Sequence, residues 1–158
     1  VSDKVTPFLW FDGKAEEAVN FYASIFDDAK IGSMSRYPEG SPYPAGTVMT
    51  VEFELGGQNF IALNGGPEYS FTPAISFSID CETQEEVDKF WNGLSEGGRE
   101  IQCGWLQDKY GLSWQVVPSV LPKLLQDDDE NKADAVMQAM LKMVKLDIKT
   151  LQDAYDRA

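Results

Sequence analysis

The chain has 158 residues, 43% of them hydrophobic, enough for one domain or for two small modules with a real core. Its 26 acidic against 13 basic residues give a net charge of −13, which argues against a nucleic acid or an anionic membrane surface as partner. With no histidine anywhere, imidazole bases, His-containing triads and His-ligated metal sites are excluded.

In chain order, Val5–Phe11 is short and rich in Phe, Leu and Trp, and predicts a strand packed on both faces. Asp12 is placed to cap the helix that follows, predicted over Lys14–Phe26 from the apolar stripe Ala15, Ala18, Val19, Tyr22, Ile25 and Phe26. Asp27 and Asp28 oppose the helix dipole and belong past its stop. Ala29–Tyr37 reads as a second strand, and Pro38, Gly40, Pro42, Pro44 and Gly46 then break regular structure. Thr47–Leu55 and Gln58–Leu63 form a hairpin about Gly56-Gly57. This first unit, residues 1–66, is β-α-β-β-β.

A second unit, 67–118, starts after a linker to Phe71. It opens with a strand at Ala74–Asp80. Thr83 and Glu86 make a capping box for a helix carrying Val87, Phe90, Trp91 and Leu94 on one face, stopped by Gly97-Gly98. Glu100–Trp105, a polar turn at Asp108, Lys109 and Tyr110, and the strand Leu112–Val117 complete it. The tail, 119–158, reads as helices at Val120–Leu125, Asn131–Val144 and Ile148–Ala158, with Ala135, Met137, Met140, Leu141 and Val144 as its buried stripe. Asp127-Asp128-Asp129-Glu130 lacks the spacing of a calcium loop and reads as a turn whose acids favour the next helix start.

Two segments echo each other. TPFLWF at Thr6 is followed by EEAVNFY at Glu16, and TPAISF at Thr72 by EEVDKFW at Glu85, offsets of 66 and 69 residues. Two echoes in order at nearly one offset point to duplicated supersecondary units within one structural domain. Cys81 and Cys103 are too few for a disulfide scaffold or a four-thiolate zinc site, and predict two reduced thiols in a cytoplasmic protein. The opening Val-Ser-Asp-Lys has no apolar core for a secretory leader, and every apolar stretch is strand-sized, so no membrane span is expected.

The repeated β-α-β-β-β unit, with TPFLWFDGKAEEAVNFY, ALNGGPEYSFTPAISFSIDCETQEEVDKFWNGLSEGG, CGWLQDKYGLSWQVVP and the tail ADAVMQAMLKMVKLDI, resembles the vicinal-oxygen-chelate superfamily of glyoxalase I and the bleomycin-resistance proteins. The match is closest to its PhnB-like branch, which often carries the label 3-demethylubiquinone-9 3-methyltransferase. The resemblance implies an α+β fold of two βαβββ units curled as mixed sheet around a cleft, with C-terminal helices. It also implies a divalent ion held by His, Glu or Gln from four strands, which would fall here at Thr6 to Phe8, Asn64, Ala74 and Gln115. Alanine cannot ligate and neutral amides are weak ligands, so no metal and no other cofactor is expected. Methyl transfer is not expected either, because the paired glycines fall in hairpins and helix stops rather than in a glycine-rich strand-to-helix turn.

The candidate ligand-binding residues are Phe8, Trp10, Asn64, Cys103, Trp114 and Gln115. Phe8 and Trp10 share one side of the first strand, and Trp114 lies opposite Gln115 on the last. Asn64 and Gln115 stand at former ligand positions and are expected to point into the cleft, where an apolar pocket with two amides would take a small neutral or aromatic molecule. Each has a plainer alternative. Asn64 can cap the Gly65-Gly66 turn, Gln115 can bond to backbone, and both tryptophans can be core. Both cysteines read as inert thiols, Cys81 because Asp80 and Glu82 flank it. Three function classes stay open: a binding module, a metal-independent enzyme, and an interaction protein with a vestigial pocket. A homodimer is expected, since one unit leaves sheet edges exposed and the family implied here often completes its cleft across a two-fold axis.

Overall fold

Both halves of the chain take up the same topology. A computed structural model describes residues 3–158; Val1 and Ser2, the start of the N-terminal stretch read above, lie outside the described residues. One unit runs through Phe71 and the other spans Thr72–Ala158. In the first, β1 (Phe8–Phe11), α1 (Ala15–Ile25), β2 (Lys30–Arg36), β3 (Val48–Leu55) and β4 (Gln58–Asn64) build a sheet in the order β1-β4-β3-β2. In the second, β5 (Ser76–Cys81), α2 (Gln84–Ser95), β6 (Arg99–Glu100), β7 (Trp105–Gln107) and β8 (Ser113–Pro118) repeat it as β5-β8-β7-β6. The outer helix-linked strand is parallel to the last strand of its unit in each case, and the other pairings are antiparallel.

Alternation explains which side of each sheet is buried. Leu9, Phe11, Val51, Phe53, Leu55, Phe60 and Ala62 turn toward α1, which answers with Ala15, Ala18, Val19, Tyr22 and Ile25. The Tyr22 and Phe53 rings stack at 6.3 Å and Phe53 and Phe60 at 5.3 Å. Burial of each such ring contributes about 1.5–3 kcal/mol. In the second unit Val87, Phe90, Trp91 and Leu94 of α2 pack toward Leu106, Trp114 and Val116.

Several boundaries differ from the sequence reading, and the helix read as Asn131–Val144 spans Glu130–Leu141. β1 begins at Phe8, after Pro7, and Val5 is exposed. β5 begins at Ser76 because the Ala74 N–H turns back to the Thr72 hydroxyl at 3.3 Å. Glu100–Trp105 is not one strand. Cys103 and Gly104 take positive φ of 60° and 82° and make a turn between β6 and β7. Cys103 holds that conformation against the Cβ penalty with two backbone bonds to the tail, Cys103 N–H to Met143 O and Gly104 N–H to Val144 O, both 2.8 Å.

The two helix starts are built differently. Thr83 caps α2 as expected, accepting from Glu86 N–H at 3.2 Å, while the Glu86 carboxylate accepts from Glu82 N–H at 3.0 Å. Asp12 does not cap α1. Lys14 occupies the cap position with no side-chain bond, and the first helical N–H, that of Ala15, donates instead to Asn64 Oδ1 at 2.9 Å. Asn64, at the far end of β4, also donates Nδ2–H to Val48 O at 3.0 Å. Its amide therefore ties the helix start, the end of β4 and the start of β3 together.

The tail forms α3 (Val120–Leu125), α4 (Glu130–Leu141) and α5 (Ile148–Arg157). Asp129 caps α4 and Asp147 caps α5, so the acidic run serves a helix start as read. The helices gather Leu121, Leu124, Val136, Leu146 and Leu151 into their own cluster, with Ala139, Met140 and Met143 packed against it. The expected stripe is thus rotated. Met140 packs on the cluster, but Met137, Leu141 and Val144 are exposed by 37%, 49% and 42%. Gln84 brackets the α4–α5 connection, donating to Leu146 O at 3.1 Å and accepting from Ile148 N–H at 2.8 Å. No helix among the described residues is long and apolar enough to cross a membrane.

Two measurements check this architecture. Asn64→Ala removes the acceptor at a helix start and leaves the half-buried Val48 carbonyl without its donor, and should cost about 1–3 kcal/mol in denaturant unfolding. Asn64→Asp, which keeps the acceptor, should cost less, and equal losses would deny the cap its role. Cys81 is fully buried, and burial first, then the Glu86 and Asp80 charges, push its thiol up to about 12. A thiol reagent at pH 8 should therefore titrate one cysteine per native chain, the half-exposed Cys103, and the second only in denaturant.

Candidate functional site

Each sheet has one face turned to its helix and one turned away. Side chains that a ligand can reach on the strands belong to the helix-free face, and the two faces differ in chemistry.

On the first sheet the helix-free face carries Phe8 and Trp10 from β1 and Ile61 and Leu63 from β4. Phe8 is 58% exposed, large for a Phe in a strand. Farther across, a cavity of about 440 Å³ is lined by Thr6, Asn59, Ile61, Glu52, Glu54 and Lys30, among others. Glu54 pairs with Lys30 at 3.6 Å, and Glu52 accepts from the Ser33 hydroxyl at 2.7 Å. The lining has more carboxylates than cations, so it disfavours anions.

Trp10 is fixed from behind by the turn after β4. Three successive carbonyls of that turn each receive an aromatic donor: Tyr37 OH on Asn64 O, Tyr43 OH on Gly65 O at 2.7 Å, and Trp10 Nε1–H on Gly66 O at 2.8 Å. Tyr37 and Tyr43 lie 4.5 Å apart, and Tyr69 meets Trp10 edge to face at 5.0 Å. Burial and Tyr43 raise the Tyr37 phenol above its ordinary pKa, which keeps it a donor. A Cβ on Gly65 would fall 2.5 Å from the Trp10 indole, and one on Gly66 2.7 Å from the Tyr43 hydroxyl. The glycine pair is what lets the aromatics close on the backbone.

On the second sheet the helix-free face is polar. Ser76 and Ser78 of β5, Ser113 and Gln115 of β8 and Trp105 and Gln107 of β7 share it by register. Gln115 Nε2–H donates to Ser76 Oγ at 2.9 Å. Ser113 is fully buried, and its hydroxyl has no hydrogen-bond partner among the described residues.

The six candidate residues therefore separate. Phe8, Trp10 and Gln115 stand on helix-free faces. Asn64, expected to point the same way, is turned to the helix side at 7% exposure with both amide atoms engaged. Trp114 is core, 2% exposed, and its Nε1–H bonds Asp108 Oδ2 at 2.9 Å. Asp108 is itself buried rather than part of a solvated turn, and accepts from Tyr110 N–H at 2.8 Å and Leu112 N–H at 3.1 Å. Cys103 sits in the β6–β7 turn, bonded to the tail. Ser76 and Ser113 were not singled out from sequence. Their two-residue spacing from Ser78 and Gln115 was the available signal.

A divalent ion does not fit these side chains. The positions that the superfamily pattern implies, Thr6 to Phe8, Asn64, Ala74 and Gln115, carry no anionic or imidazole side chain, and both amide atoms of Asn64 are engaged in the scaffold. Ala74 precedes β5 altogether. Among the described residues no three Cys, Asp or Glu gather as a metal site.

The family described as 3-demethylubiquinone-9 3-methyltransferase matches residues 3–117. The PhnB protein from Bacillus cereus is similar in structure, with 43% identity and a TM-score of 0.67 over 73% of this chain and 99% of that one. Protein PA1353 from Pseudomonas aeruginosa aligns at 22% identity and TM-score 0.61 over 74% and 98%. The fosfomycin resistance protein FosX from Listeria monocytogenes aligns at 13% and 0.52 over 75% and 93%; these two likenesses are of fold alone. No curated sequence matches the chain. The family match ends before the tail, so the tail lies outside the part of the resemblance that this match supports. With the repeated βαβββ sheets, the match over residues 3–117 makes the chain a member of the PhnB-like branch of the vicinal-oxygen-chelate superfamily.

Proposed function

We propose that this protein binds a small neutral or aromatic molecule, without a metal, on the helix-free face of its first sheet. The observation that carries the reading is Phe8, 58% exposed beside Trp10, Ile61 and Leu63 on a face that α1 does not cover. A ring laid there would bury apolar surface and meet the edge of an aromatic pair already held in place. The carboxylates of the adjoining cavity and the net charge of −13 select against anionic ligands. Asn64, Trp114 and Cys103 act as scaffold in this reading.

The family description names a methyl transfer. Among the described residues no strand runs through a glycine-rich turn into a helix start, as a methyl-donor fold would show. Gly56 and Gly57 are a hairpin, Gly65 and Gly66 serve the aromatic clamp, and Gly97 and Gly98 follow α2. The reading therefore stays with binding.

Nile red, a neutral aromatic dye, tests the face directly. Wild-type protein should bind it with a blue-shifted emission. Phe8→Ala should weaken binding about tenfold, the equivalent of 1.4 kcal/mol, a modest share of a buried Phe side chain. Phe8 is largely exposed, so the variant should unfold like wild type. Unchanged dye affinity in Phe8→Ala, with the fold intact, would remove this face as the binding site.

A further inference from the structure

We propose that the molecule held on the helix-free face of the first sheet carries a protonated amine, received by Glu52 while Phe8 and Ile61 hold its apolar end. This rests on the aromatic reading of that face and names the class of ligand. Register sets out the pieces. Phe8 of β1 pairs with Ile61 of β4, and Ile61 in turn pairs with Glu52 of β3, so the three stand in one row across the sheet. Two strand spacings, roughly 10 Å, separate the first from the last. An exposed ring, an aliphatic side chain and an exposed carboxylate in line match a ligand with an apolar body and a cationic end.

The fourth strand completes the row with a bulge. β2 pairs Ile31 with Phe53 and Met34 with Val51, which leaves Gly32 and Ser33 together opposite the single residue Glu52. Ser33 donates its hydroxyl to Glu52 Oε2 at 2.7 Å and so orients the carboxylate. Gly32 clears the space beside it. A Cβ there would fall 3.2 Å from the Glu52 Cβ and 3.6 Å from Oε2, and the Gly32 backbone is not left-handed, so this glycine provides room rather than a turn. Among the described residues no cation pairs with Glu52. Lys30, which lines the same cavity of about 440 Å³, stands one row away and pairs with Glu54 at 3.6 Å. The cavity wall thus holds an oriented carboxylate with no charge partner of its own. An ammonium meets it with a charge-assisted N–H···O bond, a hydroxyl with a weaker neutral one, and a carboxylate is repelled.

Phenylbutylamine, phenylbutanol and phenylbutyrate, which share one apolar body and are cationic, neutral and anionic at pH 7, test this in competition with Nile red. Wild type should bind the amine at least tenfold more tightly than the alcohol, with the carboxylate weakest. Glu52→Gln keeps an acceptor for Ser33, and should bring the amine down to the affinity of the alcohol while leaving the alcohol unchanged. Asp134→Asn removes the same charge from the exposed side of α4 and should preserve the tenfold gap, which separates a specific pair from the pull of a net charge of −13 on any cation. Phe8→Ala should weaken amine and alcohol alike. An alcohol that binds and responds to Phe8→Ala, with no advantage for the amine, would overturn this proposal and leave the binding face standing. An amine advantage that survives Glu52→Gln, or that falls equally in Asp134→Asn, would also overturn it. Failure of all three probes to bind at millimolar concentration would remove both readings.

Discussion

The first unit depends on what happens at the last residues of β4. An α-helix that starts without a cap leaves N–H groups bare, and α1 starts at Lys14 with none of its own. The side chain of Asn64 reaches across to fill that need, while its other amide atom holds the entry of β3. The backbone of the same residue takes the Tyr37 hydroxyl, and the next two carbonyls take Tyr43 and Trp10. Five groups from β1, β3, α1 and the β2–β3 loop thus converge on three consecutive residues. Losing any one leaves a half-buried polar group without its partner, which is why the turn must be Asn-Gly-Gly and why the long β2–β3 loop is folded down rather than free.

This convergence also sets which residues a ligand could meet. A side chain at the end of a strand belongs to one face or the other, and a slip of a single position exchanges them. Leu63 and Asn64 are neighbours, yet Leu63 faces away from the helix and Asn64 toward it. The amide that a resemblance would assign to a binding cleft is consumed in structure. On the second sheet the corresponding amide, Gln115, does lie on the helix-free face, where it bonds Ser76 beside the buried hydroxyl of Ser113. The two units have therefore kept one topology and diverged in the chemistry of their reachable faces, one aromatic and one polar.

Much of this is legible in the sequence. The echo of TP and EE segments foretold two sheets of equal strand order, and the Thr83–Glu86 spacing foretold the cap of α2, because both are local patterns written within a few residues. What was not legible is long-range. Asp12 looked like the cap of α1 since sequence offers only neighbours, and the true cap is 49 positions away. Asp108 looked solvated because it sits among Lys109, Tyr110 and Gly111. It is buried because its carboxylate turns inward to gather two backbone N–H groups and the Trp114 indole. The tail stripe was misphased for a similar reason. Met137 and Met140 are equally apolar, and only the position of Leu121, Leu124 and Leu151 decides which of them is turned inward.

The contrast between the two helix starts carries one step further. α2 is capped by its own sequence, so the information for its first turn is complete within Thr83–Glu86. α1 has no such information, and its cap exists only once β4 has returned beside β1. The same fold is therefore specified locally in one copy and by tertiary closure in the other. The second copy spends its long-range bonds elsewhere. Gln84 of α2, free of capping duty, brackets the α4–α5 connection through Leu146 and Ile148, and Asp88 one turn on pairs with Lys145 at 2.8 Å. A helix that caps itself leaves its neighbouring side chains available to hold something new, and in this chain what they hold is the tail.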